Sequence, residues 1–262
     1  IVGGVDPIST ELAVSLYGAA LDKVVPVSSS RVAESGKLLE NIFRSVNIAL
    51  VNELKMIFDR MGIDVWEVIE AAKTKPFGFM PFYPGPGLGG HCIPLDPFYL
   101  SWKAAEHGVW ARFIELAGEI NTRMPSYVVH RVGRALNEDG KPLKGANILV
   151  LGLAYKANID DDRESPSYEI IELLHDQGAE VAYCDPYFPR ARKTRRHDLG
   201  MESIPCTPEA FAAYDAILIS TAHDVFKDVR LYDGASLVID TRNLLAPLLR
   251  PDAQGQRRLV KA

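Results

Sequence analysis

Apolar positions recur every three to four residues in the first half of the chain and run in short unbroken stretches in the second, so two kinds of structure share one sequence. Residues 7–23 set Leu12, Val14, Leu16 and Leu21 among alanines, and predict a helix. Residues 31–61, "RVAESGKLLENIFRSVNIALVNELKMIFDRM", are apolar on more than one side, which predicts a helix buried in the middle of a bundle and ended by Gly62. Further helices are predicted over 64–74, with Asp64 as N-cap, over 96–107, and over 111–140, where Pro125 is expected to kink or divide the element.

From residue 146 the pattern changes. "NILVLGLAY" reads as a buried strand, and Ser165, Pro166 and Gly178 frame a helix between them. "EVAYCDP", "DAILIST" and "SLVIDTRN" read as strands, with "TPEAFAAY" as a helix. Alternating strands and helices predict a parallel, doubly wound sheet. The expected fold class is therefore α/β: an all-helical domain over residues 1–141, its long last helix acting as connector, and a Rossmann-like parallel-sheet domain over 142–262. The last stretch, "RPDAQGQRRLVKA", reads as a surface end.

Composition narrows the function classes. A chain of 262 residues, 47% hydrophobic, can fill two ordinary cores. A net charge of −5 gives no electrostatic footprint for nucleic acid. No apolar run reaches the ~20 residues needed to cross a bilayer, so no membrane association is expected. The cysteines, at 92, 184 and 206, are odd in number and lack both paired and metal-ligand spacing. No disulfide framework and no metal are expected, and a reducing cytoplasm fits. The opening "IVGG" matches the processed start of trypsin-like proteases, but no Gly-Asp-Ser-Gly-Gly turn follows, and long helices replace the strands of that barrel.

Three constellations could carry chemistry. The loop "FYPGPGLGGHCIPLDPF" (82–98) contains Gly85, Gly87 and Gly90 in a G-x-G-x-x-G pattern. Prolines at 76, 81, 84, 94 and 97 leave neither a strand before it nor a helix directly after it, so it is not a dinucleotide fingerprint. Its glycines are expected to let backbone approach a ligand closely, and Cys92 and Asp96 sit at its far end. A free cysteine is commonly a small buried hydrophobe, but among crowded amides it becomes a nucleophile. On the second predicted helix, Glu34, Lys37, Asn41 and Arg44 share a face. They form either a solvated stripe, with Lys37 bonded to Glu34, or a cation placed deliberately against apolar surface. The third is "GLAYKANIDDDRESPS", beyond the first strand, where Lys156 and Arg163 suit phosphate and the aspartates equally suit a helix cap. Arg242 follows another strand end, Asp185 stands where a ribose-binding carboxylate would, and His223 lines the same crevice or is structural.

Taken together, "IVGGVDP", "ESGKLLENIFRSVNIALVNEL", "GPGLGGHCIPLDPFYL", "GLAYKANIDDDRESPS", "STAHDVFK" and "VIDTRN" resemble the nucleotide-sugar 6-dehydrogenases, the family of UDP-glucose and GDP-mannose dehydrogenases. Residues 75–104 are most similar to bacterial enzymes acting on UDP-N-acetylhexosamines. The resemblance implies a four-electron, NAD-dependent oxidation of a UDP-sugar C6 alcohol to the uronate. UDP-N-acetylglucosamine is the expected substrate, with UDP-glucose and UDP-N-acetylmannosamine, or a non-catalytic nucleotide-sugar-binding module, as alternatives. It implies Cys92 as the nucleophile forming a thiohemiacetal and then a thioester, Lys37 as the cation for the C6 oxyanion, Asn41 as a substrate or water holder, and Asp96 in proton handling. Tyr83, Gly85, Gly87, Lys156 and Arg242 would contact the sugar and its phosphates, and Arg163 the cofactor. A homodimer through the helical domain is also implied. In the family an N-terminal NAD-binding domain precedes "IVGG", where this sequence starts, so this chain alone is expected to bind nucleotide-sugar weakly and not to turn over NAD.

Overall fold

The computed structural model describes residues 1–249 and 258–262. Five helices come first: α1 (Pro7–Gly18), α2 (Ser30–Met61), α3 (Val65–Lys73), α4 (Asp96–Glu106) and α5 (Arg112–Glu138). Asp6 and Ser9 cap α1 reciprocally, and Ser29 and Asp64 cap α2 and α3 through their side-chain oxygens. Gly62 ends α2 at φ 69°, a left-handed turn that glycine takes without strain.

Two helical expectations need correction. The 32-residue α2 is not wrapped on all sides. Its buried residues are Asn41, Ser45, Ala49, Val51, Asn52 and Lys55; Ala49 packs with Ala117 and Ile120 of α5, and Val51 with Val65, Trp66 and Ile69 of α3. Leu39, Phe43, Leu50, Ile57 and Met61 remain exposed, each by at least 45%. Of the two outcomes expected of Pro125, division is the one overturned: α5 runs on through it. An interior proline costs about 3 kcal/mol, whereas each large apolar side chain buried returns roughly 1.5–3 kcal/mol. Met124, Val128, Val132 and Leu136 are all buried, so packing wins. The Asn121 carbonyl, four residues back, is left outside the helix ladder.

The second half is a five-stranded parallel sheet of order β2-β1-β3-β4-β5. Its elements are β1 (Asn147–Leu151), α6 (Pro166–Asp176), β2 (Glu180–Cys184), α7 (Pro208–Ala212), β3 (Ala216–Ile219), β4 (Leu237–Asp240) and β5 (Arg258–Lys261), with 3-10 turns at Asp224–Lys227 and Val229–Tyr232. Alternation along β1 fills two cores. Ile148 and Val150 pack with α5 and α6 on one face, and Leu149 and Leu151 with Phe211 and Phe226 on the other. The sheet is doubly wound, with its order reversing between β1 and β3, the place where such folds leave a crevice. The helix α5 serves both halves: Ala117 and Ile120 pack with Ala49 of α2, while Val128 to Leu136 enter the sheet core.

The tail and the cysteines also depart from expectation. Residues 250–257 of the anticipated surface end lie outside the described residues, but Arg258–Lys261 form the edge strand β5. Four residues between a basic run and a chain end carry too little periodicity to read as a strand. Strand β5 also ties the halves together. The Lys261 carbonyl accepts from Lys55 Nζ and Arg131 Nη2, each at 3.2 Å, and the Lys261 ammonium pairs with Asp64. Arg131 and the Tyr127 hydroxyl meet on Asp59, at 2.9 and 2.8 Å. Burial lowers the Lys55 ammonium pKa below its ordinary value, and Asp59 opposes that shift. Cys184 and Cys206 are joined as a disulfide across a Cα–Cα distance of 6.0 Å, contrary to the unpaired reading. The 22-residue excursion that returns one to the other has no signature in their spacing. The cysteine count therefore gives no support for a reducing compartment. Among the described residues, no helix is long and apolar enough to cross a membrane, and no cluster of His, Cys, Asp and Glu could hold a metal ion.

Candidate active site

The loop 82–98 lies between the two halves and is pressed into the second by its glycines. A Cβ on Gly85 would stand 2.4 Å from Arg242 Nη1. On Gly87, at φ 144°, it would meet Pro166 Cβ at 3.0 Å, and on Gly89 it would meet Tyr155 Cβ at 2.4 Å. The Gly90 N–H donates to the Arg163 carbonyl at 2.8 Å. The close approach expected toward a ligand is thus made to the chain's own Arg242, Pro166 and Tyr155. The loop is a seam that brings Cys92 to the sheet's carboxyl end.

At the far end of the seam the backbone tightens into a helix start. The Leu95 and Asp96 N–H groups donate to the Cys92 carbonyl at 3.1 and 2.8 Å, and Asp96 opens α4. Asn41 Nδ2 donates to Asp96 Oδ2 at 2.7 Å from a nearly fully buried position on α2. Cys92 is an exposed free thiol. Lys37 lies one helical turn before Asn41 on the same face of α2, and it is Asn41 that reaches the end of the loop, through Asp96. Lys37 is exposed, and its ammonium pairs with Glu40 at 3.0 Å, not with Glu34. Arg44 also pairs with Glu40, and together the two cations pull that carboxylate pKa below the ordinary range. A cleft of about 230 Å³ lies behind the loop, bordered by Phe98, Gly118, Thr122, Pro166 and Glu169. The Cys92 thiol is not among its walls.

Arg242 comes from the turn after β4. Its N–H is held by Asp240, its Nε donates to the Ser220 carbonyl at 2.9 Å, and its guanidinium lies against Gly85. Part of the residue keeps solvent access, but the guanidinium is packed away from it. Burial pushes its pKa down to about 10, against the pull of Asp240. It has no carboxylate ion-pair partner among the described residues.

The remaining candidates divide. Lys156 is exposed beyond β1. Arg163 is exposed and forked onto Asp161 at 2.7–3.2 Å. Tyr83 is turned to α3, where its ring stacks on Trp66 and its hydroxyl donates to Glu70 at 2.6 Å. Asp185 cannot hold a ribose: its carboxylate accepts the N–H groups of Leu153, Ala154, Tyr187 and Phe188 and contacts His223 Nε2 at 3.1 Å. His223 is structural. Its Nδ1 accepts the Asn158 N–H at 3.0 Å, which places its proton on Nε2, toward Asp185.

Burial alone would raise the Asp185 carboxyl pKa, but His223 and the backbone donors outweigh it and lower the pKa. A depressed folded pKa stabilises the fold above the ordinary carboxyl value of 3.8, and that stabilisation is lost as pH falls through the folded value. His223→Leu is expected to destabilise the chain by about 3 kcal/mol at neutral pH and to move acid unfolding to higher pH, measured by urea titrations across pH 3–7. An unchanged acid midpoint would count against this account of Asp185.

Sequence reasoning missed two buried carboxamides. Asn52 Oδ1 accepts the Gly85 N–H at 3.0 Å, and Asn52 Nδ2 donates to Asn121 Oδ1 at 2.9 Å. The available signal was an asparagine inside each of two otherwise apolar helical faces, beside Val51 and beside Ile120.

Comparison with known proteins follows this division of the chain. Residues 31–123 match the UDP-glucose/GDP-mannose dehydrogenase family, central domain, and residues 149–247 match its UDP binding domain. A UDP-N-acetyl-D-mannosamine dehydrogenase of Methanococcus maripaludis is 35% identical over 253 residues, covering 94% of this chain and 56% of that protein. A UDP-N-acetyl-D-glucosamine 6-dehydrogenase of Pseudomonas aeruginosa is 37% identical over 230 residues, covering 87% of this chain and 53% of that protein. The solved UDP-D-ManNAc dehydrogenase of Pyrococcus horikoshii superposes with a TM-score of 0.84 at 32% identity, covering 99% of this chain and 58% of that one. The chain thus spans about half the length of the curated relatives it matches. With both halves and the loop between them accounted for, the chain belongs to the UDP-glucose/GDP-mannose dehydrogenase family.

Proposed function

We propose that this chain supplies the UDP-sugar site and the sulfur chemistry of an NAD-dependent UDP-N-acetylhexosamine 6-dehydrogenase. One observation carries the reading: the packed Arg242 guanidinium, without a carboxylate partner among the described residues, lies against the loop that leads to the exposed Cys92. A desolvated cation of this kind calls for an anion, and a nucleoside diphosphate supplies one. Relatives named for the manno and gluco sugars match this chain at 35% and 37% identity. The chemistry common to both, a C6 hydroxymethyl on a UDP-linked N-acetylhexosamine, is therefore what we assign. UDP-N-acetylglucosamine and UDP-N-acetylmannosamine are the two substrates to compare first.

The described residues fit sugar oxidation better than they fit dinucleotide binding. The turn after β1 lacks a three-glycine cradle, and Arg163 is the one residue we assign to NAD, which supplies the hydride acceptor. The steps that fall to this chain concern sulfur, oxygen and protons. The Cys92 thiolate adds to the C6 aldehyde: a C–S bond forms, the carbonyl π pair moves onto oxygen, and Lys37 released from Glu40 stabilises the alkoxide. After oxidation to the thioester, water adds to the carbonyl and gives a proton to Asp96, which Asn41 orients. The C–S bond then breaks to return the thiolate and release the carboxylate. UDP-sugar is expected to slow alkylation of Cys92 by iodoacetamide in a saturable way, and equal rates with and without UDP-sugar would remove the reading.

We also assign a two-fold dimer to the helical half. Phe43, Leu50 and Ile57 lie seven residues apart on α2, each 45–50% exposed, an apolar stripe suited to a second copy of the same helix. Leu50→Glu is expected to convert the dimer to a monomer in light scattering, with the far-UV circular dichroism unchanged. A wild-type chain that is monomeric throughout the titration would refute this.

A further inference from the structure

We infer that the carboxamide pair Asn52–Asn121 is a positioning device that sets the Gly85 end of the loop against Arg242. The inference rests on the diphosphate site proposed above. Asn52 is fully buried in the middle of α2, and Asn121 is 4% exposed on α5. The hydrogen bonds run in one direction. The Gly85 N–H donates to Asn52, Asn52 Nδ2 donates to Asn121, and Asn121 Nδ2 donates to the Ser45 carbonyl at 3.1 Å. An N–H at one end can only donate and a carbonyl at the other can only accept, so the backbone fixes both amide orientations. Flipping either amide would set like groups together inside the protein.

Two apolar side chains could join α2 to α5 as well. What the carboxamides add is a third partner, the loop. Gly85 is held by its own N–H on the side of α2 while its Cα lies under the Arg242 guanidinium. Two residues on, a Cβ at Gly87 would lie 3.6 Å from the Asn121 carbonyl, the one Pro125 leaves outside the helix ladder. Asn121 therefore borders the loop through its backbone and steers it through Asn52. With Nε of Arg242 committed to Ser220, the loop backbone determines how the other guanidinium N–H groups can meet a phosphate. Asn52 and Asn121 act through Gly85 and Arg242, without touching substrate.

The test uses this chain and UDP as the probe. The Asn52→Leu and Asn52→Leu/Asn121→Leu variants keep α2 and α5 packed with side chains of similar size. Both are compared with wild type at a temperature well below their unfolding midpoints. The expected result is faster hydrogen exchange of the Gly85 amide, α6 amides unchanged, and UDP affinity reduced about tenfold. Combining Asn52→Leu with Arg242→Gln should lose little beyond Arg242→Gln alone, because the two act on one contact. Wild-type UDP affinity in a folded Asn52→Leu variant would overturn the inference, as would full additivity with Arg242→Gln. If the wild-type chain does not bind UDP, the diphosphate reading fails instead, and Gly85 exchange decides alone: unchanged exchange in the variants overturns the positioning role, and faster exchange upholds it.

Discussion

With the family's NAD-binding domain joined to this chain, replacing Cys92 with alanine is expected to abolish uronate formation by the proposed enzyme, lowering turnover by a factor of about 10³ or more. The loop places an exposed thiol one turn before Asp96, with Asn41 bonded to that aspartate. No other cysteine is available, since Cys184 and Cys206 are bonded to each other. Without sulfur, the C6 aldehyde has no covalent tether, and its second oxidation depends on free hydration. The measurement is the ratio of NADH to uronate, with aldehyde trapped by a hydrazine. The alanine variant should release aldehyde if it oxidises at all. A variant that forms uronate at the wild-type rate would remove Cys92 from the mechanism.

Arg242→Gln is expected to move affinity and stability in opposite directions. A hydrogen bond to a charged group contributes about 1.5–3 kcal/mol, so loss of the guanidinium should weaken UDP binding by about 10- to 150-fold. The folded state, however, disfavours this cation, as its lowered pKa of about 10 indicates. A neutral side chain in its place should leave the thermal midpoint unchanged or raise it, the pattern of a residue kept for binding at the expense of stability. Calorimetry with UDP and thermal unfolding on the same sample decide the matter. Unchanged affinity would eliminate the assigned diphosphate contact, and a large fall in the midpoint would show that Arg242 mainly supports the fold.

Periodicity was legible wherever one element decided it. Gly62, Asp64, Ser165 and Pro166 mark helix ends by local geometry, and the structure uses each as read. The alternation of strands and helices after residue 146 was likewise enough for the parallel sheet. What escaped depends on partners distant in sequence. The apolar sides of α2 could not reveal that α3, α4 and α5 cover them only in part among the described residues. Pro125 reads as a break until the buried side chains on either side of it are counted. Asp185 stands where a ribose ligand would, yet His223, 38 residues later, takes that place. Asn52 and Asn121 read as ordinary polar positions because their partners are 33 and 76 residues away, at Gly85 and Ser45. The loop glycines read as sites of close approach, but a sequence cannot say whether a ligand or Arg242 does the approaching.

Strand β5 has a consequence for synthesis. Asp64 meets Lys261 across 197 residues of chain, and Lys55 meets the same residue across 206. As the polypeptide emerges from the ribosome, α2 and α3 are made about 200 residues before the counter-charge and carbonyl that they meet in the fold. The helical half must therefore wait, with part of its acidic and basic side chains unmatched, until β5 has been made. Such distant closure slows folding and leaves a long interval in which chaperones have something to hold.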